Sequence, residues 1–148
     1  MLTQAKSEDE AALERLIETA FVKYVQALGR DWPGPYPWLP EAIAQGRVLW
    51  IDGTKGCAVI DRDGDALKID QIAIDPAHQG RGTGRRAMEA LEELAIRASF
   101  AQITLYTAQV HTNLVAFYSS LGYRVTDLRP PASGKDDIPR IHMTKPLN

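Results

Sequence analysis

Residues 69–95 read Ile-Asp-Gln-Ile-Ala-Ile-Asp-Pro-Ala-His-Gln-Gly-Arg-Gly-Thr-Gly-Arg-Arg-Ala-Met-Glu-Ala-Leu-Glu-Glu-Leu-Ala. Three segments follow one another: an apolar strand ending near Asp75, a loop holding Gly80, Gly82 and Gly84, and an amphipathic helix. Glycines let the main chain turn and approach a ligand closely. The free N–H groups of a helix start then point at an anion, with the helix dipole behind them. Arg81, Arg85 and Arg86 add positive charge, so the stretch reads as a phosphate cradle.

Working outward, the cradle helix carries Ala87, Met88, Leu91, Leu94, Ala95 and Ala98 on one side, with Glu89, Glu92, Glu93 and Arg97 facing water. Before the cradle lie three strands, Arg47 to Ile51, Cys57 to Asp61 and Ala66 to Ile74, and the Asp63-Gly64 pair marks a hairpin between the last two. They form an antiparallel meander. After the helix, Ile103 to Thr107 is short, apolar and β-branched, and the helical crossover makes it parallel to the last meander strand. A helix from about Thr112 to Leu121 follows, with Leu114, Phe117 and Leu121 as its apolar face and Gly122 as its stop. Tyr123 to Leu128 and Arg140 to Met143 are the last strands, separated by a Pro- and Gly-containing loop.

At the other end, Ser7 and Glu10 make a capping box for a helix from Glu8 to about Leu28, broken near Phe21 and stopped by Gly29. Leu13, Leu16, Ile17, Ala20 and Tyr24 share one of its faces. The next segment, Asp-Trp-Pro-Gly-Pro-Tyr-Pro-Trp-Leu-Pro (31–40), excludes regular structure through its prolines and supplies large flat side chains. Two readings of Trp32, Tyr36 and Trp38 stand: rings that cap a core edge, or walls of a substrate pocket. A short helix from Pro40 to Gln45 ends at Gly46.

The composition sets the bounds. A chain of 148 residues with one continuous pattern is expected to form a single domain over 1–148 with one core. A net charge of −2 gives no general field for nucleic acid. The lone Cys57 excludes an internal disulfide and a cysteine metal cluster, and its apolar neighbours make it a buried filler. No apolar run approaches the roughly 20 residues of a membrane span, and the acids Glu8, Asp9 and Glu10 do not suit a secretion signal. A cytoplasmic protein with neither a membrane partner nor a metal is the expectation.

Three phosphate ligands compete for the cradle. A nucleoside-triphosphate loop needs Lys-Ser/Thr after the last glycine, where Arg85 and Arg86 stand. The dinucleotide pattern G-x-G-x-x-A is met by Gly82, Gly84 and Ala87. Yet Gly82 lies well beyond the strand end, and no Asp or Glu between Glu93 and Asp127 can hold a ribose.

The third reading rests on resemblance. Ile-Ala-Ile-Asp-Pro-Ala-His-Gln-Gly-Arg-Gly-Thr-Gly (72–84) resembles the acetyl-CoA-binding motif of the GNAT superfamily of N-acetyltransferases, whose core, Gln/Arg-x-x-Gly-x-Gly/Ala, is met by Gln79 to Gly84. Ala-Phe-Tyr-Ser-Ser-Leu-Gly-Tyr-Arg (116–124) is similar to the family's second signature, a helix ending in Tyr-x-x-Leu-Gly-Phe/Tyr. The resemblance implies an α/β (α+β) fold: a mixed, mostly antiparallel sheet of about six to seven strands flanked by helices. The strand before the cradle and the next parallel strand would splay apart to admit pantetheine.

Main-chain groups of Ile72, Ala73 and Ile74 would then pair with the pantetheine amides, one N–H serving as oxyanion donor. Gln79, Gly80, Arg81, Gly82, Thr83, Gly84 and Arg85 would hold the pyrophosphate of acetyl-CoA. Tyr118 matches the family tyrosine that protonates the departing thiolate. For the base, Asp70 stands first, because strand alternation from Ile72 and Ile74 puts it on their face; His111 is second and a water chain third. His111 occupies the place of a family asparagine, so Asn113 is read either as a first-turn polar residue or as a pantetheine contact.

The acceptor side implied by the resemblance runs over Phe21 to Trp38 and Arg129 to Arg140. There Tyr24, Trp32, Tyr36 and Trp38 suggest a compact pocket for a small-molecule amine with an apolar part. The rival readings are a non-catalytic acetyl-CoA-binding or interaction module, and an acetyltransferase for protein N-termini or lysines. A homodimer through terminal strands is a further implication of the resemblance.

Overall fold

The computed structural model describes residues 1–132 and 134–147. Its elements, in chain order, are β1 (Leu2–Gln4), α1 (Glu10–Gln26), α2 (Leu39–Ala44), β2 (Val48–Ile51), β3 (Gly56–Asp63), β4 (Ala66–Ile74), α3 (Thr83–Arg97), β5 (Gln102–Ala108), α4 (Thr112–Ser120), β6 (Arg124–Arg129) and β7 (Arg140–Pro146). The strands form a seven-stranded sheet in the order β1-β2-β3-β4-β5-β7-β6. The β4–β5 pair is parallel and the other neighbours are antiparallel. The expected mixed, mostly antiparallel sheet is therefore what the chain builds, and the meander and the parallel crossover fall where the hydrophobic pattern puts them.

Helices cover both faces. Ala87, Met88, Leu91 and Ala95 of α3 pack with Leu67, Ile69, Ile103, Leu105 and Met143 of the sheet, and Tyr118 of α4 joins them. On the other face, Leu13, Leu16, Ile17 and Ala20 of α1 and Leu39, Ala42 and Ile43 of α2 pack with Val48, Trp50, Cys57, Val59 and Ala73. Met88 and Leu91 are fully buried, and each such side chain contributes roughly 2 kcal/mol by leaving water. Cys57 is also fully buried, and burial pushes its thiol up to about 12, which makes it an inert filler.

Several local expectations are corrected. β1 is a strand that the sequence does not announce, because three residues with two exposed side chains carry no period. α1 runs unbroken past Phe21. Its start is organised by Asp9 rather than by Ser7 and Glu10: the Asp9 carboxylate accepts from the Lys6 N–H at 2.8 Å and from Trp50 Nε1 at 3.1 Å. Ala98 caps α3 in the open instead of packing, and Glu92 pairs with Lys145 instead of facing water alone. β7 does not close the sheet edge; it runs on to Pro146 between β5 and β6.

Two features of β4 shape the site. It pairs with β5 only from Ala66↔Gln102 to Ile69↔Leu105, after which the strands separate. At that point β4 also bulges, because Gln71 opposes Val59 and Ile69 opposes Ile60, leaving Asp70 as the extra residue. The bulge resets the alternation: Leu67 and Ile69 face α3 before it, Ile72 and Ile74 after it.

Candidate active site

The splay between β4 and β5 opens a cavity of about 360 Å³, lined by Ile72, Ala73, Ile74, Gln79, Gly80, Gly82, Thr83, Gly84 and Arg85. Ala20, Phe21, Tyr24, Leu114, Phe117 and Tyr118 complete its wall. In the β3–β4 ladder the Asp75 N–H bonds to the Lys55 carbonyl at 2.8 Å. By the two-residue alternation of an antiparallel ladder, Ala73 then spends its main-chain groups on Cys57, while those of Ile72 and Ile74 point into the gap. Of the three residues expected to pair with pantetheine, Ile72 and Ile74 thus have main-chain groups facing the gap and Ala73 does not, and the Ile74 carbonyl accepts from Gln79 Nε2 at 2.9 Å. Gln79 tethers the cradle to the strand.

The cradle closes with Gly80 at φ 74° and Gly82 at φ 77°. Gly82 is the residue before α3 and offers no side-chain cap, so the first N–H groups of the helix face the cavity unused. A helix start free of a cap, a positive φ that a side chain disfavours, and an unpaired strand edge fit a long ligand with an anionic end and amide groups along its length. Arg85 lines the cavity and reaches Ser120 Oγ at 3.5 Å. Arg81 is exposed beside it, its carbonyl accepting from Arg86 Nη1 at 3.1 Å. Asn113 is exposed in the first turn of α4 and lines neither this cavity nor the next.

A second cavity of about 210 Å³ adjoins the first and shares Phe21, Tyr24, Ile72, Leu114 and Tyr118 with it. Tyr118 is buried, and burial, followed by neighbouring Tyr24, holds its phenol well above the ordinary tyrosine range. It stays protonated at neutral pH. His111 precedes α4 and lines the second cavity, where burial and then Arg140 lower its pKa below 6.5.

Of the residues expected to hold the acceptor, Tyr24 and Tyr36 line this second cavity. Trp32 is half exposed and donates its Nε1 to the Glu18 carboxylate, while Trp38 lines a separate hollow with Arg47 and Asp70. The three rings of the loop stack edge-on, Tyr36 lying 6.2 Å from Trp32 and 6.5 Å from Trp38, so only the middle one reaches the cavity. Asp70 lines the cavity too, but the bulge turns it away from the face of Ile72 and Ile74. It lies 3.3 Å from Lys68 and 3.9 Å from Arg47.

Arg30, Gln71, Thr107 and Arg140 also stand on this cavity wall, outside the residues to which the sequence points. A sequence signal exists only for the arginines, as charges bordering the segments expected to bind the acceptor. Among the described residues no group of three His, Cys, Asp or Glu could hold a metal ion, and no helix is long and apolar enough to cross a membrane.

Comparison with known proteins adds the following. The acetyltransferase (GNAT) family matches residues 8–123. The Mycobacterium leprae protein ML0378 is 40% identical over 72 residues, which is 47% of this chain. The match spans 19% of that relative's length. The ribosomal-protein-S18-alanine N-acetyltransferase of Escherichia coli superposes with a TM-score of 0.73 at 21% identity, covering 100% of this chain and 94% of its own. The PaiA N-acetyltransferase of Thermoplasma acidophilum, solved in complex with coenzyme A, gives 0.76 at 14% identity, covering 99% and 98%.

Proposed function

The chain belongs to the acetyltransferase (GNAT) family, and on that premise we propose that it transfers acetyl from acetyl-CoA to the primary amine of a small molecule. The observation that carries this reading is the loss of β4–β5 pairing beyond Ile69 and Leu105, directly beside the uncapped start of α3. The free edge at Ile72 and Ile74 would hold the pantetheine arm, and the first turn of α3 with Arg85 the phosphates. When bound, acetyl-CoA supplies an acyl group activated as a thioester.

The chain's own groups divide the proton work. Tyr118 borders both cavities and keeps its proton, which suits it to protonate a leaving thiolate. His111 keeps a neutral imidazole at pH 7, which suits it to take the proton that an alkylammonium must lose. Asp70 ranks behind it, because its carboxylate is engaged by Lys68 and Arg47. The Ile72 N–H, pointing into the gap, is the oxyanion donor. The cavity's volume of about 210 Å³ supports a small acceptor over a protein segment, which would need a longer groove.

The test is thiol release from acetyl-CoA with a panel of amino acids, aromatic amines, polyamines and N-terminal peptides, beside calorimetric binding of CoA. Turnover of a small amine is the expected result. Tight CoA binding with no release from any amine would leave a cofactor-binding module instead.

A further inference from the structure

We propose that the acceptor carries a carboxylate as well as its amine, that is, a free amino acid with an apolar side chain, held by its carboxylate at Arg30 and Arg140. The proposal rests on the acetyl-transfer reading of the same site.

Five buried side-chain atoms among the described residues lack a hydrogen-bond partner: Arg30 Nε, Tyr36 Oη, Gln71 Oε1, Thr107 Oγ1 and Tyr123 Oη. The first four belong to side chains lining the acceptor cavity. A buried polar atom left unpaired costs about 1–3 kcal/mol, so four on one small cavity are the mark of a missing polar ligand. Their chemistry is sorted: Arg30 and Tyr36 offer donors, Gln71 and Thr107 offer acceptors.

Charge points the same way. Arg140 forks onto Asp136, with Nη1 at 3.0 Å from Oδ1 and Nη2 at 2.9 Å from Oδ2, and Nη1 also reaches the Ile138 carbonyl at 2.6 Å. Arg30 Nε lies 3.8 Å from the same carboxylate, too far for a hydrogen bond. One aspartate therefore serves two guanidinium groups, and the trio leaves a net positive charge at the cavity wall. Asp70, the carboxylate lining the cavity, is already offset by Lys68 and Arg47. A ligand carboxylate would complete Arg30, whose planar fork suits that shape. The amine would find Gln71 Oε1 and Thr107 Oγ1, and an apolar side chain would find Ile17, Phe21 and Leu28. A polyamine would instead bring cations against two guanidinium groups, and a peptide N-terminus would bring a neutral amide.

The experiment compares phenylalanine, leucine and methionine with their amides, using thiol release from acetyl-CoA. The amide's amine is less basic, so a larger neutral fraction favours it chemically; recognition of the carboxylate favours the acid. The acid of the best pair is expected to have kcat/KM about tenfold or more above its amide, and Arg30→Gln is expected to bring that ratio to about one. Arg30 is chosen because Arg140 also anchors Asp136. Calorimetry with 3-phenylpropanoate on the CoA-saturated protein reads the carboxylate site without turnover, and Arg30→Gln should abolish that binding. Amides used as well as acids, or a ratio unmoved by Arg30→Gln, overturns the proposal and leaves acetyl transfer standing. Phenylpropanoate bound through Arg30 with no thiol released from any amine overturns the acetyl-transfer reading and leaves the anion site. Neither release nor binding overturns both.

Discussion

The Tyr24 ring, near the end of α1, meets the His111 ring, ahead of α4, edge to face, with centroids 4.8 Å apart and planes at 89°. That contact joins the helix beside the second cavity to the loop that enters α4. It also holds the imidazole half-buried against the cavity wall, where burial and then Arg140 lower its pKa.

His111→Gln is therefore expected to lower kcat/KM by about a hundredfold or more, the usual range for a general base starting near that value. In the parent protein the acid limb of the pH profile should fall as pH drops through a value below 6.5, because burial and Arg140 disfavour the imidazolium. The variant should lose that limb. The same depression affects stability. His142 is also lowered, chiefly by burial, so the unfolded chain binds more protons near and below pH 6.5. The histidine contribution is complete above 6.5 and is lost as pH falls through the folded-state values. Chemical denaturation at stepwise pH would show it.

Tyr118→Phe should reduce kcat by about tenfold or more while leaving KM for acetyl-CoA nearly unchanged. The Tyr118 ring, rather than its hydroxyl, carries the packing with Phe117 and Tyr123. The melting temperature should barely move, which steady-state kinetics beside a thermal scan would establish. An unchanged kcat would remove the tyrosine from the proton transfer.

Asp136→Asn leaves two guanidinium groups facing each other beside a cavity. The side chain is 4% exposed, and breaking a buried pair on one side costs roughly 3 kcal/mol. Urea denaturation should show a loss of that order. The native Asp136 pKa is lowered by the Arg140 hydrogen bonds foremost, so its contribution is present above the ordinary carboxylate value and fades as pH falls through the lower one.

Gly82→Ala tests the cradle. At φ 77° an alanine costs about 1 kcal/mol of main-chain strain, and its Cβ would come within 3.0 Å of Arg86 Nη1. Arg86 can swing away, but the helix start would shift. KM for acetyl-CoA should rise severalfold, with the affinity for free CoA falling in parallel by calorimetry.

Residues 69–95 and 116–124 were enough to point to the family and to place the strand, glycine loop and helices that frame the first cavity. A glycine-punctuated helix start, an amphipathic helix and a strand are local structures, and the forces that make them act between residues near in sequence. The antiparallel meander and the parallel crossover followed from hairpin chemistry and connection length for the same reason. The acceptor half was not legible in that way. Arg30 follows α1, Gln71 sits at the bulge of β4, Thr107 is on β5 and Arg140 opens β7. Only the insertion of β7 between β5 and β6 brings Arg140 opposite Ala108, and only the bulge at Asp70 shifts the face that β4 presents. Both are consequences of strand pairing between distant segments, where long-range hydrogen bonding and burial, rather than any local preference, choose the register.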